Sequence, residues 1–187
     1  MSNVIDNLVK MKHLTEMMVS LAYSDLFYDE IHLQKELEEI HLEIKELEKE
    51  NLKHIFRIRE REDMRISIIE LMEYIKDITH ACSNIAALNS KGRILPFPDT
   101  MLNESDDRSI IVSVSKKSTL CSKKVGDMKI RTLMKVNING IKRNKRWIFN
   151  INKDTIIRAD DIIWAVCGGE GKKIFTKIAD GTLKSVY

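Results

Sequence analysis

The spacing of apolar positions changes once along the chain, from a helical period to a strand period. Between Met64 and Ile85 the apolar residues Met64, Ile68, Leu71, Ile75, Ile78, Cys82 and Ile85 recur at intervals of 4-3-4-3-4-3, a heptad stripe that predicts a long amphipathic helix. Leu33, Leu37, Ile40, Ile44 and Leu47 repeat the pattern upstream. Asn51 then falls where the next apolar residue belongs, and the stripe resumes near Ile55. A further helix is read through Val4, Leu8, Met11, Leu14, Met18 and Leu21, continuing to Phe27. Turns are expected near Tyr28–Glu30 and Arg59–Asp63, where polar residues cluster. Each stripe is one-sided, so three such helices must cover one another as an antiparallel bundle.

From Ile110 the period becomes two. Ile110, Val112 and Val114 face one way, and Ser113 and Ser115 the other, which predicts a half-buried strand. Ser118 or Ser122 can cap a short helix near Lys123–Asp127. Val136–Ile141 and Arg146–Ile151 read as a hairpin around Arg143-Asn144-Lys145. Ile162–Val166 reads as a buried strand released by Gly168-Gly169, and Glu170–Ile178 as a last helix. The order β-α-β-β-β-α describes a small α+β domain.

Composition sharpens this division. All seven glycines and both prolines lie at or after residue 92, so the helical part carries none of the usual turn punctuation. Charge divides at the same place. Residues 1–92 carry a net −6 and residues 93–187 a net +9, which together give the chain's +3. The expected organisation is a helical bundle over 1–92, a linker over 93–107 containing Pro96-Phe97-Pro98, and an α+β domain over 108–187. The longest apolar run, Ile162–Val166, is far short of the roughly 20 residues that span a bilayer. No charged-then-apolar leader opens the sequence, so export is not expected. Three widely spaced cysteines, Cys82, Cys121 and Cys167, fit reduced thiols in a cytoplasmic protein.

Enzyme chemistry finds no signature. The five histidines all fall on predicted helices, and no two stand i, i+3 or i, i+4, so helical metal pairs are missing. Gly168-Gly169-Glu170-Gly171-Lys172-Lys173 has the composition of a phosphate loop. Val166 and Lys173, however, occupy the places where that loop needs Gly and Ser/Thr. A glycine strand exit followed by a basic helix start explains it better. A non-enzymatic protein is expected. Lys142-Arg143-Asn144-Lys145-Arg146-Trp147 is the strongest nucleic-acid candidate, with cations for phosphates and an indole to stack. Alternation nevertheless puts Trp147, Phe149 and Ile151 on one sheet face, which favours a charged hairpin tip with Trp147 turned into the core. Glu73 and Asp77, four apart on one helix face, can chelate a cation, and Glu38, Glu39 and Glu43 on the second helix could face them. The alternative is a solvated acidic face.

Both halves resemble known families. Met17–Leu26, Leu37-Glu38-Glu39-Ile40 and Glu73-Tyr74-Ile75-Lys76-Asp77 resemble a PhoU domain over residues 7–90, about one repeat. That resemblance implies a three-helix bundle. It also implies a divalent or iron-type metal at Glu73-x-x-x-Asp77, with Glu39 from the second helix. Val136–Arg143, Asp154–Ile163 and the exit at Gly168 resemble the C-terminal domain of RCK/TrkA proteins over 107–187. The chain departs from that pattern in carrying Asp160-Asp161 where Gly-Asp is usual, and in lacking a proline near Ile151.

The paired resemblance implies a cytoplasmic, non-catalytic regulatory subunit of a potassium channel or transporter, held at the inner membrane face through a separate membrane subunit. It implies a homodimer sensing a small effector, for which a cyclic dinucleotide is one candidate. By position, Val136, Ile138, Asn139, Ile141 and Arg143 would line the effector cleft, with Arg143 offered to an anion. Nucleic acid is not expected as a partner in this reading. The alternative reading is a nucleic-acid-binding or phosphate-signalling regulator that uses the basic half.

Overall fold

The structure is a computed structural model, and it describes residues 2–28, 33–56, 62–90 and 107–184. The chain divides into two compact units, Met1–Leu95 and Pro96–Tyr187. The expected turns fall mainly on residues 29–32 and 57–61, and nearly all of the expected linker on 93–106. These lie outside the described residues.

The described residues of the first unit form three helices, α1 (Ser2–Tyr28), α2 (Leu33–Ile55) and α3 (Glu62–Ser90). Helix α1 is the spine. It packs along both α2 and α3, which approach each other much less closely, and it buries Met11, Leu14, Met17, Met18 and Leu21 almost completely. The expected stripe on α2 is buried throughout, from Leu33 to Leu47. Sequence neighbours run antiparallel: Asn7 and Lys10, early in α1, bond Asn51 and Glu43 of α2, while His41, early in α2, stacks on His80, late in α3.

Asn51, the polar break in the α2 stripe, stays in the seam with no exposed surface. Its carboxamide oxygen accepts from Asn7 Nδ2 at 3.0 Å, and its own Nδ2 points to Met11 Sδ at 3.7 Å. A buried amide satisfied at a single register penalises sliding of α2 along α1, because any slip strands its polar atoms away from their partners.

On α3 the structure corrects the expected stripe. Ile68, Met72, Ile75, Thr79, Cys82 and Ala86 are buried, whereas Leu71 and Ile78 are 45% and 43% exposed. The sequence pattern serves two flanks of the helix that share Ile68, Ile75 and Cys82. Within the unit only the flank that adds Met72, Thr79 and Ala86 is covered.

The second unit is a four-stranded antiparallel sheet in the order β1-β4-β2-β3, with β1 at Arg108–Ser113, β2 at Val136–Arg143, β3 at Arg146–Ile148 and β4 at Ile162–Cys167. Short helix α4 (Ile130–Met134) precedes β2, and α5 (Gly169–Ala179) follows β4. The element order is the one read from the sequence, but the first helix begins after the expected Lys123–Asp127. Backbone turns occupy that earlier stretch, with Met128 and Lys129 amides donating to the Lys124 and Gly126 carbonyls.

One sheet face supplies Ile110, Val112, Val136, Ile141, Ile163, Ala165 and Cys167 to a core closed by Ile130 and Met134 of α4 and by Phe175, Ile178 and Ala179 of α5. Helix α5 can lie this close because its third residue is glycine: a Cβ on Gly171 would stand 2.5 Å from the Met134 carbonyl oxygen. The opposite face carries a smaller aromatic core. Trp147 stacks on Phe149 at 6.1 Å, and Phe149 meets Trp164 edge-on at 6.4 Å. Gly140 leaves the room, since its missing Cβ would touch all three rings at 3.3–3.4 Å. Trp147 is therefore buried as alternation suggests, but away from the helices. Strand β3 ends at Ile148, and Ile151 packs instead against the helix-side core.

Candidate functional site

Strand β2 collects the chemistry of the second unit. Its hairpin to β3 turns through Asn144 and Lys145, both with positive φ (50° and 65°), the two-residue turn whose twist matches the flanking strands. Pairing with β4 shifts between Ile138 and Gly140, so Asn139 is the extra residue of a bulge. A bulge bends the strand and redirects the side chain at that point. Here Asn139 is half-buried, and its carboxamide oxygen accepts from Asn137 Nδ2 at 2.6 Å. Sequence reading placed Asn139 correctly on the strand. It had no signal for the bulge, because a one-residue insertion changes no residue type.

At the end of β2, Arg143 meets Asp161, which lies just before β4 and is 1% exposed. Arg143 Nε donates to Oδ1 at 2.8 Å and Nη2 to Oδ2 at 2.7 Å, a bidentate pair. The same Nη2 donates to the Ile156 carbonyl at 2.8 Å, and the Arg158 backbone N–H donates to Asp161 Oδ2 at 2.7 Å. The Asp161 hydrogen bond raises the Arg143 pKa above its ordinary value against the opposing effect of burial. Arg143 thus ties the 156–161 loop to β2, and any anion it met would share it with Asp161. Of the other residues expected around an effector, Val136 and Ile141 lie fully in the core, while Ile138 packs partly against it. Ile138 and Asn139, together with the outer part of Arg143, are the accessible members of the set.

Asp160 explains the departure from Gly-Asp. Its φ is +64°, in the left-handed region that favours glycine, while its N–H donates to the Val114 carbonyl and the Val114 N–H donates to the Asp161 carbonyl. Aspartate tolerates this conformation better than most residues but still with strain. Asp160→Gly is expected to raise the stability of the second unit by about 0.5–1 kcal/mol, read as a higher denaturant midpoint at unchanged slope.

The expected metal set does not assemble. Glu39, Glu73 and Asp77 are all exposed, Glu73 pairs with Lys76 at 3.5 Å, and α2 and α3 pack on α1 more than on each other. Among the described residues, no group of three or more His, Cys, Asp and Glu side chains is placed to hold a metal ion.

Nor does the basic hairpin offer a stacking indole. Lys142 Nζ lies over the Trp147 ring at 5.6 Å, and Trp147 is 6% exposed.

The three thiols are free. Burial pushes the Cys167 pKa up to about 11, and burial likewise raises Cys82 and Cys121. At pH 8 only about one Cys167 in a thousand is thiolate. Brief iodoacetamide treatment of the native protein should therefore modify half-buried Cys121 first and Cys167 last, as read by peptide mass spectrometry. Denaturation should erase the order.

Comparison with known proteins bears on the second unit. Residues 110–175 match the model of the TrkA-C domain family. No curated protein matches the chain. Similar solved structures include the following three. The RCK_C domain dimer of S. agalactiae BusR in complex with c-di-AMP is 16% identical with a TM-score of 0.38, over 41% of this chain and 95% of that one. S. agalactiae BusR in complex with its busA-promotor DNA is 14% identical with a TM-score of 0.37, over 60% and 66%. The GsuK channel bound to NAD is 10% identical with a TM-score of 0.36, over 60% of this chain and only 21% of the channel chain.

Proposed function

We propose that the chain, whose C-terminal unit carries a TrkA-C domain, is a non-catalytic cytoplasmic regulator of a potassium channel or transporter, with that domain as its effector-sensing part. The match over residues 110–175 carries this reading. No described helix is long and apolar enough to cross a membrane, so in this reading a separate subunit conducts the ion. Two chains pair through their TrkA-C domains. Asn139 on the β2 bulge, with Ile138 and the outer edge of Arg143, contacts a small effector such as a cyclic dinucleotide, while Val136 and Ile141 support the strand from behind. The PhoU-like helical unit passes the change to the membrane partner. An effector that favours one dimer geometry by about 1–3 kcal/mol biases that partner about 5–150-fold.

A thermal-shift screen of the full chain against c-di-AMP, ATP, NAD and potassium tests this. A ligand at 100 times its Kd stabilises the folded form by about 2.7 kcal/mol. One of the four is expected to raise the melting temperature, with the response reduced in Asn139→Ala. Failure of all four, or a response indifferent to Asn139, counts against the reading. A melting shift with duplex DNA that collapses as salt rises would instead support the nucleic-acid alternative.

A further inference from the structure

The first unit contains a cavity that the regulatory reading does not use. It opens between the beginning of α2 and the end of α3, has a volume of about 420 Å³, and is lined by Leu37, Leu42 and Ala86 with Gln34, Glu38 and His41 among its polar members. It exists because α2 and α3 both lean on α1 and leave a gap between themselves. The volume lies within the range of small-molecule sites, and the mixture of an apolar wall with a few polar groups is their usual make-up.

Two of those polar groups are unfinished. Gln34 Nε2 and His41 Nδ1 are both buried, and neither has a hydrogen-bond partner among the described residues. A buried polar atom left without a partner costs about 1–3 kcal/mol, and both atoms belong to side chains of the cavity wall, so a molecule that draws those side chains toward it offsets a standing cost. The His41 ring is fixed from behind by stacking on His80, with centroids 5.6 Å apart and planes 24° from parallel. Burial, then Lys45 and His80, hold the His41 pKa below its ordinary value, which favours the neutral ring. Among the described residues Glu38 is the one charged side chain on the wall, and its carboxylate repels anions.

We propose that this cavity binds a neutral, mostly apolar small molecule whose hydrogen-bond acceptor meets the Gln34 amide N–H and whose polar edge meets His41. The site lies wholly in the helical unit and stands apart from the effector reading of β2, so either can fail alone.

Nile red, a neutral planar dye with a carbonyl acceptor, tests it on the full chain by fluorescence titration. Saturable binding at one site per chain is expected. Ala87 lines the cavity too, so Ala87→Phe, which fills it, should weaken binding at least about tenfold, and Gln34→Leu, which removes the donor, about three- to tenfold. Tyr74→Lys, on the exposed face of α3 outside the cavity, should leave it unchanged. Circular dichroism checks that each variant is folded, and Gln34→Leu carries the test if the bulkier variant is not. Non-saturable binding, equal affinity in wild type and Gln34→Leu, or loss of binding in Tyr74→Lys would each overturn the proposal.

Discussion

Arg143→Ala is expected to destabilise the C-terminal unit by about 3–5 kcal/mol, the usual loss when one partner of a buried ion pair is removed. The cost lies mainly with what stays behind. Asp161 is 1% exposed, and without the guanidinium its carboxylate keeps only the Arg158 backbone N–H at 2.7 Å among the bonds described above. The Ile156 carbonyl loses its donor as well. Arg143→Lys should recover part of the loss, because an ammonium restores charge but cannot bond both carboxylate oxygens in the same plane. The double variant Arg143→Met/Asp161→Leu separates the two contributions. If the penalty comes from stranding a buried carboxylate, the double variant should be more stable than Arg143→Ala. Equal stability would mean that the latch acts by its shape alone.

Phe175→Ala should cost about 3–5 kcal/mol in the same unit. Phe175 has no exposed surface and is the largest fully buried side chain among the described residues. It lies on α5 within the core formed against the sheet, where truncation leaves a cavity that the backbone cannot close. Both variants can be read without separating the units. The chain has two tryptophans, Trp147 and Trp164, and both belong to the second unit. Far-ultraviolet circular dichroism is dominated by the three long helices of the first. Tryptophan emission should therefore shift at lower urea in Phe175→Ala while most of the helical signal is kept. Coincident shifts of both probes by the same amount would show that the two units unfold as one.

These expectations show where the sequence was legible. The α2 stripe, the alternation in β1 and the β-α-β-β-β-α order could be read because each follows from a local period that one buried face imposes. The α3 stripe was half legible. Its heptad fits two flanks of a helix equally well, and only the position of α1 decides which flank is covered. Asp161 was hidden for another reason. Its partner lies 18 residues away in sequence, and nothing in a carboxylate before a strand states that an arginine will reach it. Asp160, visible as a departure from Gly-Asp, became intelligible once its φ of +64° was known. His41 and His80 are 39 positions apart on different helices, so no spacing along a single helix reveals them. The expected carboxylate set failed the other way: Glu73 and Asp77 do share a helix face, but the second helix does not close on it.

The central claim is that effector binding at the TrkA-C domain is felt by a cation pathway elsewhere. Rubidium-tracer uptake in the cells that encode the chain tests it most directly, comparing the intact protein with a deletion of the chain and with Asn139→Ala. Effector-dependent uptake that disappears in the deletion and is blunted in Asn139→Ala is the predicted result; uptake that keeps the same rate and the same effector response in all three would contradict it.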